Sequence, residues 1–277
     1  MELSADRSLP TLLVIGGPTA SGKTSLAISL ARHFQSVILS ADSRQFYKEM
    51  NIGVARPSEE ELAAARHYFI ADRSIQSPLS AGQYAEEALQ LLDKLFQDHS
   101  LVVVVGGSGL YLQALLEGFD QLPEVPPSVR KQVDDLYARG GLDALQRAVA
   151  DADPAYYALV DRNNPARLSR ALSVTMASGL PYSSFRTGQK KSRPFNAYCF
   201  FIDHPKEQLH QRINQRVWDM AAAGLEQEAR RLYEFRQLMP LQTVGYQEIF
   251  DYLEGKYDLP TAIQQIAVHT RQYAKRQ

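Results

Sequence analysis

The segment Gly17-Pro18-Thr19-Ala20-Ser21-Gly22-Lys23-Thr24 fits the phosphate-loop pattern G-x-x-x-x-G-K-[ST] at every fixed position. Its flanks agree with it: Thr11 to Ile15 reads as a buried strand, and Thr24 to Phe34 carries apolar residues at helical spacing. A strand, a glycine-rich turn and a helix start gather several backbone N–H groups and a positive dipole end around one point. Such a nest holds phosphate oxygens, with Lys23 as a mobile point charge and the Thr24 hydroxyl placed for a magnesium ion. The feature commits the chain to an α/β body whose loop faces a polyphosphate. It does not select which one; taken alone it reads as an ATP site.

The next segments extend that body. Ser36 to Ala41 reads as a second buried strand, running into Asp42-Ser43-Arg44-Gln45-Phe46-Tyr47. Ligands of parallel α/β sheets sit beyond the carboxyl ends of the strands, so Asp42 is expected in the same crevice as the loop. Met50 to Pro57 is a loop closed by proline, and His67 to Ala71 a short strand. Ser80 caps a helix to about Gln97, with Gln83 completing a capping box and Leu89, Leu92 and Phe96 as the inner stripe. Leu101 to Val105 is a β-branched run suited to burial on both faces of a parallel sheet. It leads into Gly106-Gly107-Ser108-Gly109 and a helix bearing Leu110, Leu112, Leu115 and Leu116. This is a second glycine-rich turn, whose amides and Ser108 hydroxyl can reach the crevice.

The pattern changes at Gly118. Leu122 to Pro127 holds three prolines and reads as a linker. From Ser128 to about Gly179 the periodicity is helical, with starts near Ser128, Leu142, Asp153 and Asn164, the last two followed by proline. A strand returns at Asn196 to Asp203. Pro205 then opens a helix through Ala223 with Gly224 as its cap, and two or three more helices reach Gln277. The expected fold is α/β: a P-loop NTPase-like parallel sheet with flanking helices, residues 1–121 and 195–277. An inserted all-helical domain takes residues 122–194.

Composition matters where the partner is at stake. Net charge is −1, which argues against nucleic acid, but the distribution is uneven. Residues 1–120 hold 9 Lys+Arg against 14 Asp+Glu, and residues 121–277 hold 21 against 17. Arg162 to Arg193 contains Arg162, Arg167, Arg170, Arg186, Lys190, Lys191 and Arg193 and no acid. That asymmetry suits a polyanion on the basic side, or a solvated face with no partner. The apolar runs are too short to span a bilayer, and the N-terminal residues lack a secretory signal. A cytoplasmic monomer with no membrane partner is expected. Cys199 is alone, which excludes an internal disulfide; with Ala197, Tyr198, Phe200 and Phe201 around it, it reads as a buried strand residue.

A phosphate loop serves triphosphatases, small-molecule kinases and enzymes that release pyrophosphate. A hydrolase needs a strand ending in Asp to hold Mg²⁺. The Leu101 to Val105 strand ends in Gly106-Gly107 instead, which weakens the ATPase and GTPase readings. Asp42 is the remaining acid, and in a kinase it could orient an acceptor hydroxyl. A large cationic helical insertion, however, looks built for a macromolecule rather than as a kinase lid.

Eight segments in order carry a resemblance: GPTASGKT at 17–24, ADSRQFY at 41–47, NIGVARP at 51–57, VGGSGLYLQALLEG at 105–118, ARLSRAL at 166–172, LHQRINQRV at 209–217, TVGYQEI at 243–249 and TRQYAKRQ at 270–277. Together they make the chain similar to the bacterial tRNA dimethylallyltransferase (tRNA isopentenyltransferase) family. The resemblance implies transfer of a dimethylallyl group from dimethylallyl pyrophosphate to the exocyclic N6 amine of an adenosine. That adenosine lies 3′-adjacent to the anticodon in tRNAs reading UNN codons. It also implies that the loop holds a leaving pyrophosphate, with Gly17 to Thr24, Mg²⁺ at Thr24 and Arg216 stabilising its charge.

Asp42 is then the general base that prepares the amine, beside Lys23 and Ser108 as catalytic partners. The family has threonine where Ser108 stands; the hydroxyl is retained. Contacts to the anticodon stem-loop are implied for Asp42, Ser43, Arg44, Gln45, Ser108, Arg130, Ala166, Arg167, Leu168, Ser169, Arg170, Gln242, Thr243, Val244, Gly245, Tyr246 and Gln247. Read alone, Arg130, Arg167 and Arg170 fit surface ion pairs as well. The adenine must leave its stack to reach the crevice. Where the family runs on past Lys275-Arg276-Gln277 into a Thr-Trp segment, this sequence stops, which reads as a shortened chain. It shows no zinc-finger extension of the eukaryotic kind, which points to a bacterial source. The alternatives are a P-loop small-molecule kinase, an adenylate-directed prenyltransferase and a non-catalytic RNA-binding protein.

Overall fold

Three continuous apolar runs form the centre of a five-stranded parallel sheet: β1 (Thr11–Gly16), β2 (Ile38–Ser40) and, after β3 (His67–Tyr68), β4 (Leu101–Val105). With β5 (Asn196–Phe201) the order is β3-β2-β4-β1-β5, every pairing parallel. Ile15 of β1 lies opposite Val105 on one side and Phe200 on the other. The phosphate-loop strand therefore ends level with its two neighbours. This computed structural model describes residues 9–277; residues 1–8, where no secretory signal is read, lie outside the described residues.

Helices cover both faces of the sheet, as parallel strands require. On one face α1 (Lys23–His33) packs Ala27, Ile28 and Ala31 against Leu13, Ile15, Ile38, Val103 and Val105. The short α2 (Glu59–Ala64) follows, with Ser58 and Glu61 forming a capping box. α3 (Ala81–Leu95) starts at the Ser80–Gln83 capping box read from the sequence. Its buried stripe is Ala81, Tyr84, Ala85, Ala88, Leu92 and Leu95, so Leu92 lies inward as expected while Leu89 and Phe96 are only partly buried. The alanines let the helix lie close, and Tyr84 supplies the bulk. α4 (Gly109–Glu117) buries Tyr111, Ala114 and Leu115, whereas Leu110 points to solvent. Phe46 stacks on Tyr84 with ring centroids 5.6 Å apart, an aromatic contact linking the Asp42 turn to α3.

The chain divides into two compact units, Met1–Gly118 with Ser192–Gln277, and Phe119–Lys191. The breaks fall at 118/119 and 191/192 rather than at 121/122 and 194/195. Gly118 ends α4 at φ 75°, and Asp120 accepts the amide and hydroxyl of Thr187, so the linker's first residues belong to the second unit. That unit holds α5 (Pro127–Ala152), α6 (Pro154–Leu159) and α7 (Pro165–Ser178). α5 bends at Gly141, whose φ of 61° and ψ of −159° are non-helical, beside the start read at Leu142. Asp153 and Asn164 cap α6 and α7 from their side chains, each before a proline. Val133, Leu145, Val149, Tyr156, Leu168 and Leu172 make the unit's own core.

In the first unit the chain continues through α8 (Lys206–Ala222), α9 (Leu225–Leu232), α10 (Tyr246–Leu253) and α11 (Leu259–Arg276). β5 departs from expectation. It is an edge strand paired with β1 alone, and Tyr198, Phe200 and Phe201 are 43%, 54% and 67% exposed. Cys199 is exposed as well, not buried, because no described helix covers this edge as α1 covers the centre.

Candidate active site

Two glycines shape the phosphate loop. Gly17 has a φ of 141°, and a Cβ there would lie 2.7 Å from the Ile202 carbonyl, so no side chain fits. Gly22 opens α1 in the left-handed conformation, φ 89°. Ser21 N–H bonds to the Pro18 carbonyl at 3.3 Å. The amides of Ala20, Gly22, Lys23, Thr24 and Ser25 have no protein acceptor among the described residues. These include the orphan donors of a helix start, gathered at one point.

Lys23 Nζ donates to the Pro18 carbonyl at 2.6 Å, folding its charge over its own loop. Burial pulls its pKa from 10.5 to about 8, against the attraction of Asp42 and with help from Arg216. Arg216, on α8, donates to the Thr19 hydroxyl at 3.3 Å. Burial lowers its pKa too, again opposed by Asp42. Two partly desolvated cations and one carboxylate thus share the crevice. Both cations are held short of the solvation they have in water, which favours an incoming anion.

Asp42 lies just past β2, whose ladder continues in Ala41 N–H to Val105 O at 2.7 Å. Its Oδ1 accepts the Arg44 amide at 2.9 Å, closing a local turn. Its Oδ2 accepts nothing from the described residues. Ser108 Oγ accepts the Ser43 amide at 3.0 Å, tying the second glycine-rich turn to the Asp42 turn. The Tyr273 hydroxyl of α11 is a hydrogen-bonding neighbour of Ser108 and Gln277. Gln277 bridges the two glycine-rich turns: Oε1 accepts the Thr19 amide at 2.8 Å, and Nε2 donates to the Gly107 carbonyl at 2.8 Å.

A cavity of about 160 Å³ adjoins these groups. Thr19, Asp42, Arg44, Arg216 and Tyr273 give it polar walls; Val54, Val217, Met220, Val244 and Ile266 give it apolar ones. An open groove of about 870 Å³ borders it, sharing Ala55, Arg216 and Met220. The combination suits a small branched hydrocarbon joined to a polyanion. No three His, Cys, Asp or Glu side chains converge as metal ligands among the described residues.

The residues singled out from sequence separate into three groups. Gly17 to Thr24, Asp42, Ser43, Arg44, Ser108 and Arg216 converge on the crevice, with Thr243 and Val244 on the cavity wall. Gln242 and Gln247 are exposed and bonded to each other at 3.0 Å. In the second unit, Arg130, Ala166, Arg167, Ser169 and Arg170 line one open groove of about 730 Å³. None of its three arginines sits in an ion pair among the described residues, so the surface-pair reading is not realised.

Four of the residues expected at RNA are engaged within the protein instead. Leu168 is 0% exposed in the helical core, so its side chain cannot reach RNA. Tyr246 is also 0% exposed, its ring against Gly53 and its hydroxyl on Glu228 at 2.7 Å. Gly245 is buried beside it, its amide donating to the Glu248 carboxylate at 2.7 Å, and its backbone still lines the 160 Å³ cavity with Thr243 and Val244. Gln45 holds its own protein, donating to the carbonyls of Val54 and Ala55 at 3.3 and 3.2 Å. Sequence reasoning missed Tyr273, Gln277 and Glu228. A signal existed for Glu228, which sits three residues after Leu225 and four before Leu232, on the apolar face of α9.

Comparison with known proteins shows what the chain as a whole is similar to. The family model described as IPP transferase matches residues 45–277. The tRNA dimethylallyltransferase of Christiangramia forsetii is 47% identical over 266 residues, covering 96% of this chain and 88% of that protein. The crystal structure of the full-length tRNA isopentenylpyrophosphate transferase from Bacillus halodurans superposes with a TM-score of 0.69 at 30% identity, covering 97% of this chain and 85% of that one. A eukaryotic dimethylallyltransferase described as acting on tRNA gives a TM-score of 0.80 at 26% identity, over 96% of this chain and 68% of that one. By sequence along most of its length and by fold, the chain belongs to the IPP transferase family.

Proposed function

We propose that this chain transfers a dimethylallyl group from dimethylallyl pyrophosphate to the N6 amine of the adenosine 3′-adjacent to the anticodon in tRNAs reading UNN codons. The observation that carries this reading is the continuity of the site. A nest of unpaired amides opens beside an apolar cavity, and a free carboxylate oxygen, Asp42 Oδ2, stands at the wall they share.

In this reading the loop amides, Lys23 and Arg216 bind the pyrophosphate. The allylic C–O bond breaks with its electron pair leaving on pyrophosphate, where those donors meet the growing charge. Val54, Val217, Met220, Val244 and Ile266 enclose the five-carbon group and keep water from the allylic centre. The amine nitrogen forms the new C–N bond, and Asp42 accepts its proton as positive charge builds on nitrogen. Ser108, fixed by the Ser43 amide and near Tyr273, orients the acceptor. Magnesium fits as a companion of the pyrophosphate: the described residues offer one hydroxyl, Thr24, and no carboxylate cluster, so substrate oxygens would supply most ligands. When bound, the ion neutralises charge on the leaving group.

The groove of Arg130, Arg167 and Arg170 takes the phosphate backbone of the anticodon stem-loop. The kinase alternative is not favoured by relatives that are prenyltransferases. The discriminating experiment incubates the protein with tRNA and either dimethylallyl pyrophosphate or labelled ATP. Prenylated adenosine in the tRNA is expected; phosphoryl transfer from ATP without prenylation would overturn the proposal.

A further inference from the structure

Glu228 is 3% exposed, yet no cation neutralises it among the described residues. Its carboxylate is surrounded by four neutral donors. Oε2 accepts the amides of Asn51 and Ile52 at 3.1 and 2.9 Å. Oε1 accepts the amide of Gly53 at 2.9 Å and the Tyr246 hydroxyl at 2.7 Å. Three successive backbone amides converging on one anion make a nest, here filled by the protein's own side chain. The carboxylate raises the pKa of Tyr246, in addition to the larger effect of burial, and so keeps that hydroxyl a donor. A burial this deep is tolerated only because every oxygen is satisfied.

What the nest fixes is a wall of the candidate site. Gly53, Val54 and Ala55, which continue the clamped strip, line the 160 Å³ cavity. The strip does not hold this shape by propensity: Ala55 has a φ of 47°, in the left-handed region that alanine disfavours. Gln45 bonds the carbonyls of Val54 and Ala55 from the other side. The Tyr246 ring fills the space against Gly53 so closely that a Cβ there would lie 2.5 Å from it. The strip is thus pinned by its amides to α9 and by its carbonyls to the Asp42 turn, with its apolar surface turned into the cavity.

We propose that Glu228 is a positioning residue that sets the size of the hydrocarbon cavity, and so the choice of prenyl chain, without touching substrate. This rests on the prenyl-transfer reading above. A glutamine in the same place offers one acceptor oxygen and turns an NH₂ donor toward the amides. The strip then loses part of its anchorage, the cavity loses its fixed depth, and a short chain is gripped less well while a longer one is admitted.

The test compares dimethylallyl and geranyl diphosphate as donors to tRNA in the wild type, Glu228→Gln and Tyr246→Phe. Glu228→Gln is expected to lower kcat/KM for dimethylallyl diphosphate about 10- to 100-fold, mostly through KM, and to shrink the dimethylallyl-over-geranyl preference at least about fivefold. Tyr246→Phe, which removes one donor and keeps the ring, should move the preference the same way by a smaller factor. Inorganic diphosphate affinity, measured by calorimetry, should stay within about twofold in both, since the head-group donors are elsewhere. Equal loss with both donors, or lost diphosphate binding alongside, would overturn the proposal and leave Glu228 a general stabiliser. If Glu228→Gln does not fold, an unchanged preference in Tyr246→Phe overturns it. A wild type that uses neither prenyl donor would instead sink the prenyl-transfer reading.

Discussion

The phosphate-loop crevice and the arginine groove of the helical unit both present positive charge, and they do so in opposite ways. In the crevice the cations are few, partly buried and tethered: Lys23 to Pro18, Arg216 to Thr19. Burial depresses both, Lys23 to about 8, so each is poised to gain from an anion. In the groove Arg167 and Arg170 are exposed and stand in no ion pair among the described residues. The first arrangement suits recognition of a small, compact charge by fixed geometry in a poorly solvated site. The second suits attraction of an extended polyanion over a distance, which salt would screen. A surplus of basic residues is therefore not one property, and the two regions should fail differently when altered.

The sharpest division comes from Asp42, which belongs to the crevice alone. Asp42→Ala should lower the rate of transfer by about 10²–10⁴-fold, the usual range for a general base. Its tRNA affinity, read by filter binding or anisotropy, should stay within about twofold. Loss of tRNA binding in parallel with activity would make Asp42 a recognition or turn residue, and its Oδ1 bond to the Arg44 amide gives that outcome a structural basis.

The second test concerns protons. Lys23 has its folded pKa lowered from 10.5 to about 8, so between those values the unfolded chain binds more protons at this group than the folded one. Stability therefore rises with pH across that window, and below about 8 the folded protein carries the full penalty of a buried ammonium. Diphosphate reverses the balance, because a bound anion restores the charged form. Binding at about pH 9 should draw in nearly one proton, seen as a calorimetric enthalpy that depends on the buffer's ionisation heat. Lys23→Met should remove the uptake at this group, leaving only the exchange of diphosphate's own last proton. No arginine in the groove should produce that uptake, and a buffer dependence unchanged by Lys23→Met would mean that Lys23 is already charged.

How far the sequence reveals these regions depends on whether backbone or side chain makes the site. The loop is legible because unpaired amides at a helix start demand glycine at Gly17 and Gly22, and glycine in a fixed pattern is visible. The centre of the sheet is partly legible too: Val102 to Val105 are buried, as the continuous apolar run suggests. β5 misleads for the same reason. Its Tyr198, Phe200 and Phe201 look like central-strand residues, and nothing local distinguishes an edge from a centre. Within a recognised motif, sequence marks importance without direction: Tyr246 and Leu168 face inward while Gln247 and Arg167 face out. Glu228, reaching Asn51 across 177 positions, is a tertiary contact that spacing alone does not encode.

The smallest effect is the most specific to the groove. Replacing Arg167 and Arg170 together with alanine removes two exposed guanidinium groups that the proposed function assigns to phosphate contact. Each phosphate contact to a single strand contributes about 0.7 to the slope of log affinity against log salt, and each to a duplex about 0.9. The double variant should therefore flatten the slope for tRNA by about 1.5 and weaken binding about tenfold at moderate salt, the loss fading as salt rises. Their partners in the fold are few: α7 buries Leu168, Ala171, Leu172 and Val174 on the opposite face, so thermal stability should hardly move. Diphosphate affinity should not change at all, since it depends on tethered donors in the other unit. A steep slope retained in the double variant would place the polyanion elsewhere and dissolve the contrast between the two regions.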